Sequence, residues 1–143
     1  MQLIKNKLNI DKNSLDSKSA IIFCHDENLA PNLFSKDFKY KTKFFDNSQN
    51  PIDFITSSIN NHQFTSESKD IHIVSHGSDK GILIGGKIIN RDLLATKSEL
   101  LRTWDLDNIY IWSCEVGNNK TLISLLSDLT GAKVFSSKEK ISK

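Results

Sequence analysis

The sequence predicts an α/β domain, a three-layer sandwich around a mostly parallel sheet that carries a small β-hairpin insertion. Short apolar runs that suit buried strands alternate with amphipathic stretches that suit helices along most of the chain. The pair Gly85-Gly86 separates two apolar pairs, which is typical of a hairpin. The chain has 143 residues, enough for one domain that buries a core without disulfide bonds.

We expect three parts along the chain. Residues 1–19 are polar and lysine-rich and are predicted to form an N-terminal arm or a leading strand. Residues 20–137 carry the alternating pattern and form the α/β domain. Residues 138–143 form a frayed C-terminal tail.

The first predicted strand lies in Ala20–Asp26, an apolar run that suits burial on both faces of a sheet. A short helix is expected to begin near Pro31. Lys39–Asn47 is predicted to be a strand at the edge of the sheet, because its alternating lysines discourage aggregation there. The basic run "KDFKYKTK" (36–43) interleaves aromatic residues as a nucleic-acid strip would, but a solvated edge strand explains it more simply.

Capping residues and the helical spacing of apolar residues predict three amphipathic helices. Asn50 is a good N-cap and Pro51 fits the first helical position. A second helix begins after Asn90, and a third ends at Gly131, which suits a helix C-terminus. The apolar positions at helical spacing are Ile52, Ile55 and Ile59 in the first helix, Leu93, Leu94, Leu100 and Leu101 in the second, and Leu122, Leu125, Leu126 and Leu129 in the third.

The remaining strands lie in the second half of the chain. "IHIV" (71–74) and "NIYIW" (108–112) are apolar strands, "GILIGGKII" (81–89) is the hairpin, and "AKVFSS" (132–137) is the last strand. Strands that alternate with helices form parallel sheets by right-handed crossovers, so the carboxyl ends of the strands meet at one edge. Ligand and catalytic groups collect at that edge in such sheets.

The composition disfavours several classes of partner. The net charge is only +2 and the chain has two arginines, so no nucleic-acid partner is expected. No apolar run approaches the length of a membrane span, and the N-terminus lacks the apolar segment of a signal peptide. Two cysteines do not make a disulfide framework. We therefore expect a cytoplasmic protein, or one exported without an N-terminal signal peptide.

Two strand ends carry the residues of a catalytic pair. Ser75-His76-Gly77 follows one apolar strand and Ser113-Cys114 follows the next. Neighbouring strands lie about 4.8 Å apart, so these side chains would come within reach of one another. An imidazole can take the proton of a thiol or stabilise the thiolate, which is the reactive nucleophile. The pair therefore predicts acyl transfer through Cys114, with His76 as the base.

The same edge supplies the other groups that acyl transfer needs. The backbone N–H groups of Gly77 and Cys114 would form an oxyanion hole. No metal ion or organic cofactor is required. The residues expected to line the substrate cleft are Cys24, His25, Ser75, Trp112, Ser113 and Glu115.

The stretches "IHIVSHG" and "IYIWSC" resemble the signature of the caspase-like cysteine peptidase superfamily, which includes caspases, legumain, gingipain, clostripain and separase. A closer resemblance is to a bacterial domain of unknown function with a caspase-like fold, often found near the N-terminus of large repeat-rich surface or adhesin-like proteins. The matching stretches are "IHIVSHGSDKGILIGG", "IYIWSCEVG" and "LTGAKVFSS". The resemblance covers about residues 20–137.

The resemblance implies a sheet of flavodoxin-like strand order and a cysteine-type endopeptidase that acts on a peptide or protein substrate. It carries over His76 as base, Gly77 as oxyanion-hole donor and Cys114 as nucleophile. The caspase Gln-Ala-Cys is Trp-Ser-Cys here, so caspase-type aspartate specificity is not expected. The alternative is a catalytically weak or inactive interaction module of the same fold, linked to surface adhesion or export.

Other chemistries fit less well. Cys24, His25, His76 and Cys114 offer two sulfurs and two nitrogens, but none of these pairs has the ligand spacing usual for zinc. His72 is expected to be a packed core histidine. Asp79 is predicted to be a turn residue, although it would be able to orient an imidazole. The glycines of the hairpin do not make a phosphate loop, because no helix or Lys-Ser/Thr follows them.

Overall fold

The structure is a computed structural model that describes residues 20–25, 42–64 and 68–139. Its strands are β1 (Ile21–Cys24), β2 (Thr42–Phe44), β3 (Asp70–Val74), β4 (His76–Ser78), β5 (Gly81–Ile84), β6 (Lys87–Ile89), β7 (Asn108–Trp112) and β8 (Lys133–Phe135). Its helices are α1 (Pro51–Asn60), α2 (Arg91–Thr96), α3 (Ser98–Leu101) and α4 (Lys120–Thr130), with a 3-10 turn at Val116–Asn118.

Five strands form the main sheet in the order β2-β1-β3-β7-β8, and every neighbouring pair is parallel. Numbered within this sheet alone, the order is 2-1-3-4-5, the flavodoxin-like arrangement. The predicted α/β class and strand order are therefore confirmed. The lysine-bearing strand β2 lies at the edge of the sheet, as its sequence indicates.

Each central strand buries both of its faces, which explains why these segments are apolar without a break. Alternate side chains point to opposite faces of a sheet. One face joins the helices in the hydrophobic core, through Ile21, Phe23, Ile71, Ile73, Ile109 and Ile111. The other face carries stacked rings, those of His72, Tyr110, Trp112 and Phe135.

Helices α1 and α4 begin and end where the sequence predicts. The Asn50 side chain accepts a hydrogen bond from the Ile52 amide at 2.8 Å, and Pro51 occupies the first turn. Asn119 caps α4 in the same way, and Gly131 ends it with a φ of 75°, a conformation that favours glycine. Both helices turn their predicted apolar side chains into the core.

The single helix predicted after Asn90 is in fact two short helices, α2 and α3. The helix breaks at Lys97, where the backbone leaves the helical region. The Lys97 ammonium lies 3.1 Å from the Asp53 carboxylate on α1, which ties the break to a neighbouring helix. This contact joins residues 44 positions apart, and the apolar spacing of the segment does not predict the break.

The hairpin is confirmed, but it belongs to a second sheet that has three antiparallel strands in the order β4-β5-β6. The third strand, β4, starts at His76 and pairs with β5. The strand predicted over 71–74 ends at Val74 as expected, but the sequence did not predict β4. The chain leaves the main sheet after Ser75 and continues at once as an edge strand of the small sheet.

Some predictions fall on residues that the structure does not describe. These are the arm at 1–19, the helix near Pro31, most of the basic run at 36–43, and positions 140–143 of the tail. In the part of the chain that is described, no helix is both long enough and apolar enough to cross a membrane.

Candidate active site

The carboxyl ends of β1, β3 and β7 lie side by side at one edge of the main sheet. From β1 the next strand, β2, is added on one side and β3 on the other, and ligands of open α/β sheets bind at such a switch in strand order. His25 directly follows β1. His76 lies two residues beyond the end of β3, and Cys114 lies two residues beyond the end of β7. The topology therefore gathers the sequence-predicted residues at the position where a ligand crevice is expected.

Two serines continue the pairing of β3 with β7 beyond the regular strands. Val74 faces Trp112 in the register, and the Ser75 amide donates to the Trp112 carbonyl at 3.4 Å. The Ser75 and Ser113 hydroxyl oxygens lie 2.9 Å apart, and both residues are buried. His76 and Cys114 directly follow these two serines, so the two candidate catalytic residues lie on chain segments that are in contact at Ser75 and Ser113.

Gly77 brings its backbone directly against the end of β7. A Cβ atom at Gly77 would lie 2.7 Å from Ser113 Cβ, 2.7 Å from Val116 Cγ2 and 3.1 Å from the Cys114 carbonyl oxygen. Real Cβ atoms do not approach other heavy atoms so closely, so only glycine fits here without a shift. The segment 76–77 therefore stays beside Cys114 even though it already belongs to the second sheet.

Cys114 stands at a sharp turn at the end of β7. It is half-buried, and Glu115 directly after it has a φ of 60°, which is uncommon for a residue other than glycine. The Glu115 amide donates to the Glu139 carbonyl at 3.0 Å, and the Gly117 amide donates to the Ser137 carbonyl at 2.7 Å. These bonds anchor the turn, and strained backbone of this kind concentrates at functional sites.

The segment 137–139 beside this turn is a neighbour that the sequence interpretation missed. Lys138 and Glu139 were assigned to a frayed tail, but backbone hydrogen bonds hold this part of the chain against the loop after Cys114. No local pattern indicates the contact. The one available signal is Gly117, whose Cβ would lie 2.9 Å from the Ser137 carbonyl group.

His25 and His76 meet at the switch in strand order between β1 and β3. Their ring centroids are 5.6 Å apart, with 67° between the ring planes. His25 is half-buried and His76 is exposed. The His25 amide donates to the Val74 carbonyl at 2.8 Å, which holds its backbone against the end of β3.

The turn between β5 and β6 also contacts His25. The Gly85 amide donates to His25 Nδ1 at 3.1 Å, and Gly85 has a φ of 61°. On its other side the hairpin is held by the Lys87 ammonium, which donates to the carbonyls of Asn47 and Gln49 at 2.6 and 2.7 Å. The small sheet is thus fixed beside the strand ends at two places.

The loop that receives Lys87 has an ordered turn of its own. The Ser48 hydroxyl and amide donate to the Asp46 carboxylate, and these hydrogen bonds lower the pKa of Asp46. The Lys87 charge acts in the same direction but more weakly. This turn lies at the carboxyl end of β2 and supports the hairpin, outside the group of candidate catalytic residues.

Four of the predicted cleft residues are buried, namely Cys24, Ser75, Trp112 and Ser113. Cys24 has no exposed surface and Trp112 is 1% exposed, so neither offers a surface to a ligand in this structure. The Trp112 indole donates to His72 Nδ1 at 2.9 Å, and His72 stacks on Tyr110. The prediction that His72 is a packed core histidine is confirmed.

Other predicted features fall at the surface. Asp79 is an exposed residue of the turn between β4 and β5, as predicted. Across the described ranges, no group of three or more histidine, cysteine or acidic side chains is arranged to hold a metal ion. The four residues considered for zinc all lie in these ranges and do not form such a group. Neither cysteine forms a disulfide bond.

Comparison with known proteins gives one match. A family model described as "Domain of unknown function (DUF4347)" matches residues 26–143. No curated protein matches the chain, and no solved structure does. The matched span contains His76, Gly77 and Cys114, and it begins directly after His25.

Proposed function

Because the chain belongs to the family of the domain of unknown function DUF4347, whose description assigns no chemistry, we propose its function from the site: it is a cysteine peptidase. The Cys114 sulfur attacks the carbonyl carbon of a peptide bond, and His76 takes the thiol proton. His76 then gives a proton to the leaving amine, which departs as the thioester forms. Water hydrolyses the thioester and releases the carboxylate.

The register of β3 and β7 is the observation that carries this proposal. It pairs the two serines directly before the candidate nucleophile and base, with their hydroxyl oxygens 2.9 Å apart. His76 and Cys114 directly follow these serines on the two neighbouring segments. Gly77 packs against Ser113 and the Cys114 carbonyl, which keeps the two segments together beyond the serines.

The backbone at these strand ends suits an oxyanion hole. Stabilisation of a tetrahedral intermediate needs N–H donors fixed before the reaction, because fixed donors need no reorganisation as the charge develops. Gly77 lies in a place where no side chain fits, and the turn at Glu115 is anchored by backbone hydrogen bonds. We propose the Gly77 and Cys114 amides as the two donors.

Exposure favours an extended peptide or protein as the substrate. His76 is exposed at the rim, and Asp79 and Lys80 beside it are also exposed, so a long chain would be able to approach without an opening step. Trp112 is buried below this rim and is therefore not expected to provide a caspase-type specificity pocket. The preferred side chain would instead be selected by groups at the rim.

A mixture of denatured proteins or a peptide library tests the proposal. Incubation with the protein is expected to generate new peptide ends, detected by mass spectrometry, and Cys114→Ala is expected to abolish them. Cys24→Ala, which changes a buried cysteine away from the surface, is the matched control and should still cleave. Absence of cleavage by the folded wild-type protein, or equal cleavage by Cys114→Ala, would contradict the proposal and favour an interaction module.

A further inference from the structure

A second histidine, His25, lies at the rim of the site and has no role in the reaction proposed above. Its ring meets the His76 ring edge-on, with centroids 5.6 Å apart and an interplanar angle of 67°. This T-shaped arrangement is one that aromatic rings prefer, because the edge of one ring is positive and the face of the other negative. The contact joins the end of β1 to the candidate base.

The hairpin turn fixes the orientation of the His25 ring. His25 Nδ1 accepts a hydrogen bond from the Gly85 amide at 3.1 Å, so in this structure Nδ1 is the nitrogen without a proton. A neutral imidazole has one donor and one acceptor nitrogen, and this bond selects the tautomer with the proton on Nε2. The backbone of His25 is also held, by its amide bond to Val74.

Gly85 is suited to this contact. Its φ of 61° is a conformation that favours glycine, and a Cβ at Gly85 would lie 3.2 Å from Asn47 Oδ1 and 4.0 Å from His25 Cε1. The ring of His25 is thus fixed by the strand below it and by the turn beside it. His76, by contrast, is exposed and begins an edge strand. An exposed side chain of this kind needs a neighbour to hold one rotamer.

We propose that His25 is a positioning residue whose ring holds the His76 imidazole in the orientation needed to act on Cys114. The inference rests on the proposed function, because that function is what assigns His76 as the base. His25 does not itself exchange a proton with the substrate or with the thiol. It provides a ring beside His76, which the backbone bond from His25 to Val74 holds at the end of β1, while the Gly85 bond selects the tautomer.

Two substitutions at His25 distinguish the effect of its ring from the effect of its hydrogen bond with Gly85. His25→Phe keeps a ring against His76 but cannot accept from Gly85 or take a proton. The exposed Gly85 amide would then bind water at little cost. His25→Asn retains a side-chain acceptor near the position of Nδ1 but has no ring. His62→Asn, which changes a histidine that follows α1, is the matched control.

The readout is the rate at which Cys114 reacts with iodoacetamide at pH 7.5, in proteins that share the Cys24→Ala change. His25→Asn is expected to lower the rate about fivefold, the loss that corresponds to one aromatic contact. His25→Phe and His62→Asn are expected to stay within about twofold of the parent. Equal loss in both His25 variants, or no loss in either, would overturn the inference. A loss of much more than fivefold in both His25 variants would make His25 the base and would also overturn the inference.

Histidine ¹⁵N NMR gives a readout that does not depend on catalysis. At pH 7.5 the His25 ring is expected to show an unprotonated Nδ1 and a protonated Nε2, and His25→Asn should shift the His76 ring signals while His62→Asn does not. A His25 ring protonated at Nδ1, or His76 signals unmoved by His25→Asn, would overturn the inference. The proposed function fails separately, if His76→Ala leaves the reactivity of Cys114 unchanged.

Discussion

Replacement of His76 by alanine is expected to slow the reaction of Cys114 with iodoacetamide about 10-fold at pH 7, within the roughly 30-fold limit set by the few per cent of thiolate that an ordinary thiol has at this pH. A thiol of ordinary acidity is mostly protonated at this pH, and only the thiolate reacts. Gly77, directly after His76, packs against the Cys114 carbonyl, so the segment that carries the imidazole lies beside Cys114, where we propose that it takes the proton. The measurement is intact-mass spectrometry over time.

The effect on Cys114 can be measured in a variant that has no other thiol. It has only two cysteines, and Cys24 is completely buried, so Cys24→Ala leaves Cys114 as the single thiol. His62→Ala serves as the matched histidine control, and circular dichroism checks that each variant is folded. An equal rate in folded His76→Ala and its parent would show that the imidazole does not activate the thiol.

Gly77→Ala is expected to lower the free energy of unfolding by about 2 kcal/mol, the typical cost of forcing an extra carbon into a packed site. The new Cβ would lie 2.7 Å from both Ser113 Cβ and Val116 Cγ2, and the first of these is attached directly to the backbone. Relief of the clash requires the segment after β3 to move away from the end of β7. Reactivity of Cys114 should therefore fall together with stability.

Gly86→Ala is the matched control for this substitution. Gly86 lies in the exposed hairpin turn, and a Cβ there would meet no other atom within 4 Å. Urea unfolding should show a clearly lower free energy of unfolding for Gly77→Ala and little change in it for Gly86→Ala. Equal midpoints would mean that Gly77 does not pack closely against β7.

The architecture of the main sheet follows from local sequence patterns. The apolar runs, the Asn50 cap and the Gly131 terminus are each set by residues within one or two turns, so they predict strands and helices correctly. Alternation of strands and helices then implies a parallel sheet whose carboxyl ends share one edge. The adjacency of the segments that carry His76 and Cys114 was predicted by this reasoning alone.

What the sequence did not predict depends on contacts between distant positions. The bond from Gly85 to His25 spans 60 positions, and no local pattern indicates it. The continuation of the chain at His76 as strand β4 depends on pairing with β5, and the segment 137–139 is held by the turn after Cys114. Cys24 and Trp112 end apolar strands as expected, but they point into the interior instead of lining the rim.

The central claim is that residues 76 and 114 stand side by side at the end of two parallel strands. His76→Cys in a Cys24→Ser background tests it directly, because a disulfide bond requires Cα atoms about 4.4–6.8 Å apart. Mild oxidation of the folded monomer is expected to form the intramolecular bond between positions 76 and 114 rapidly and nearly completely, as detected by peptide mapping. A folded variant that keeps both thiols reduced under these conditions would contradict the account.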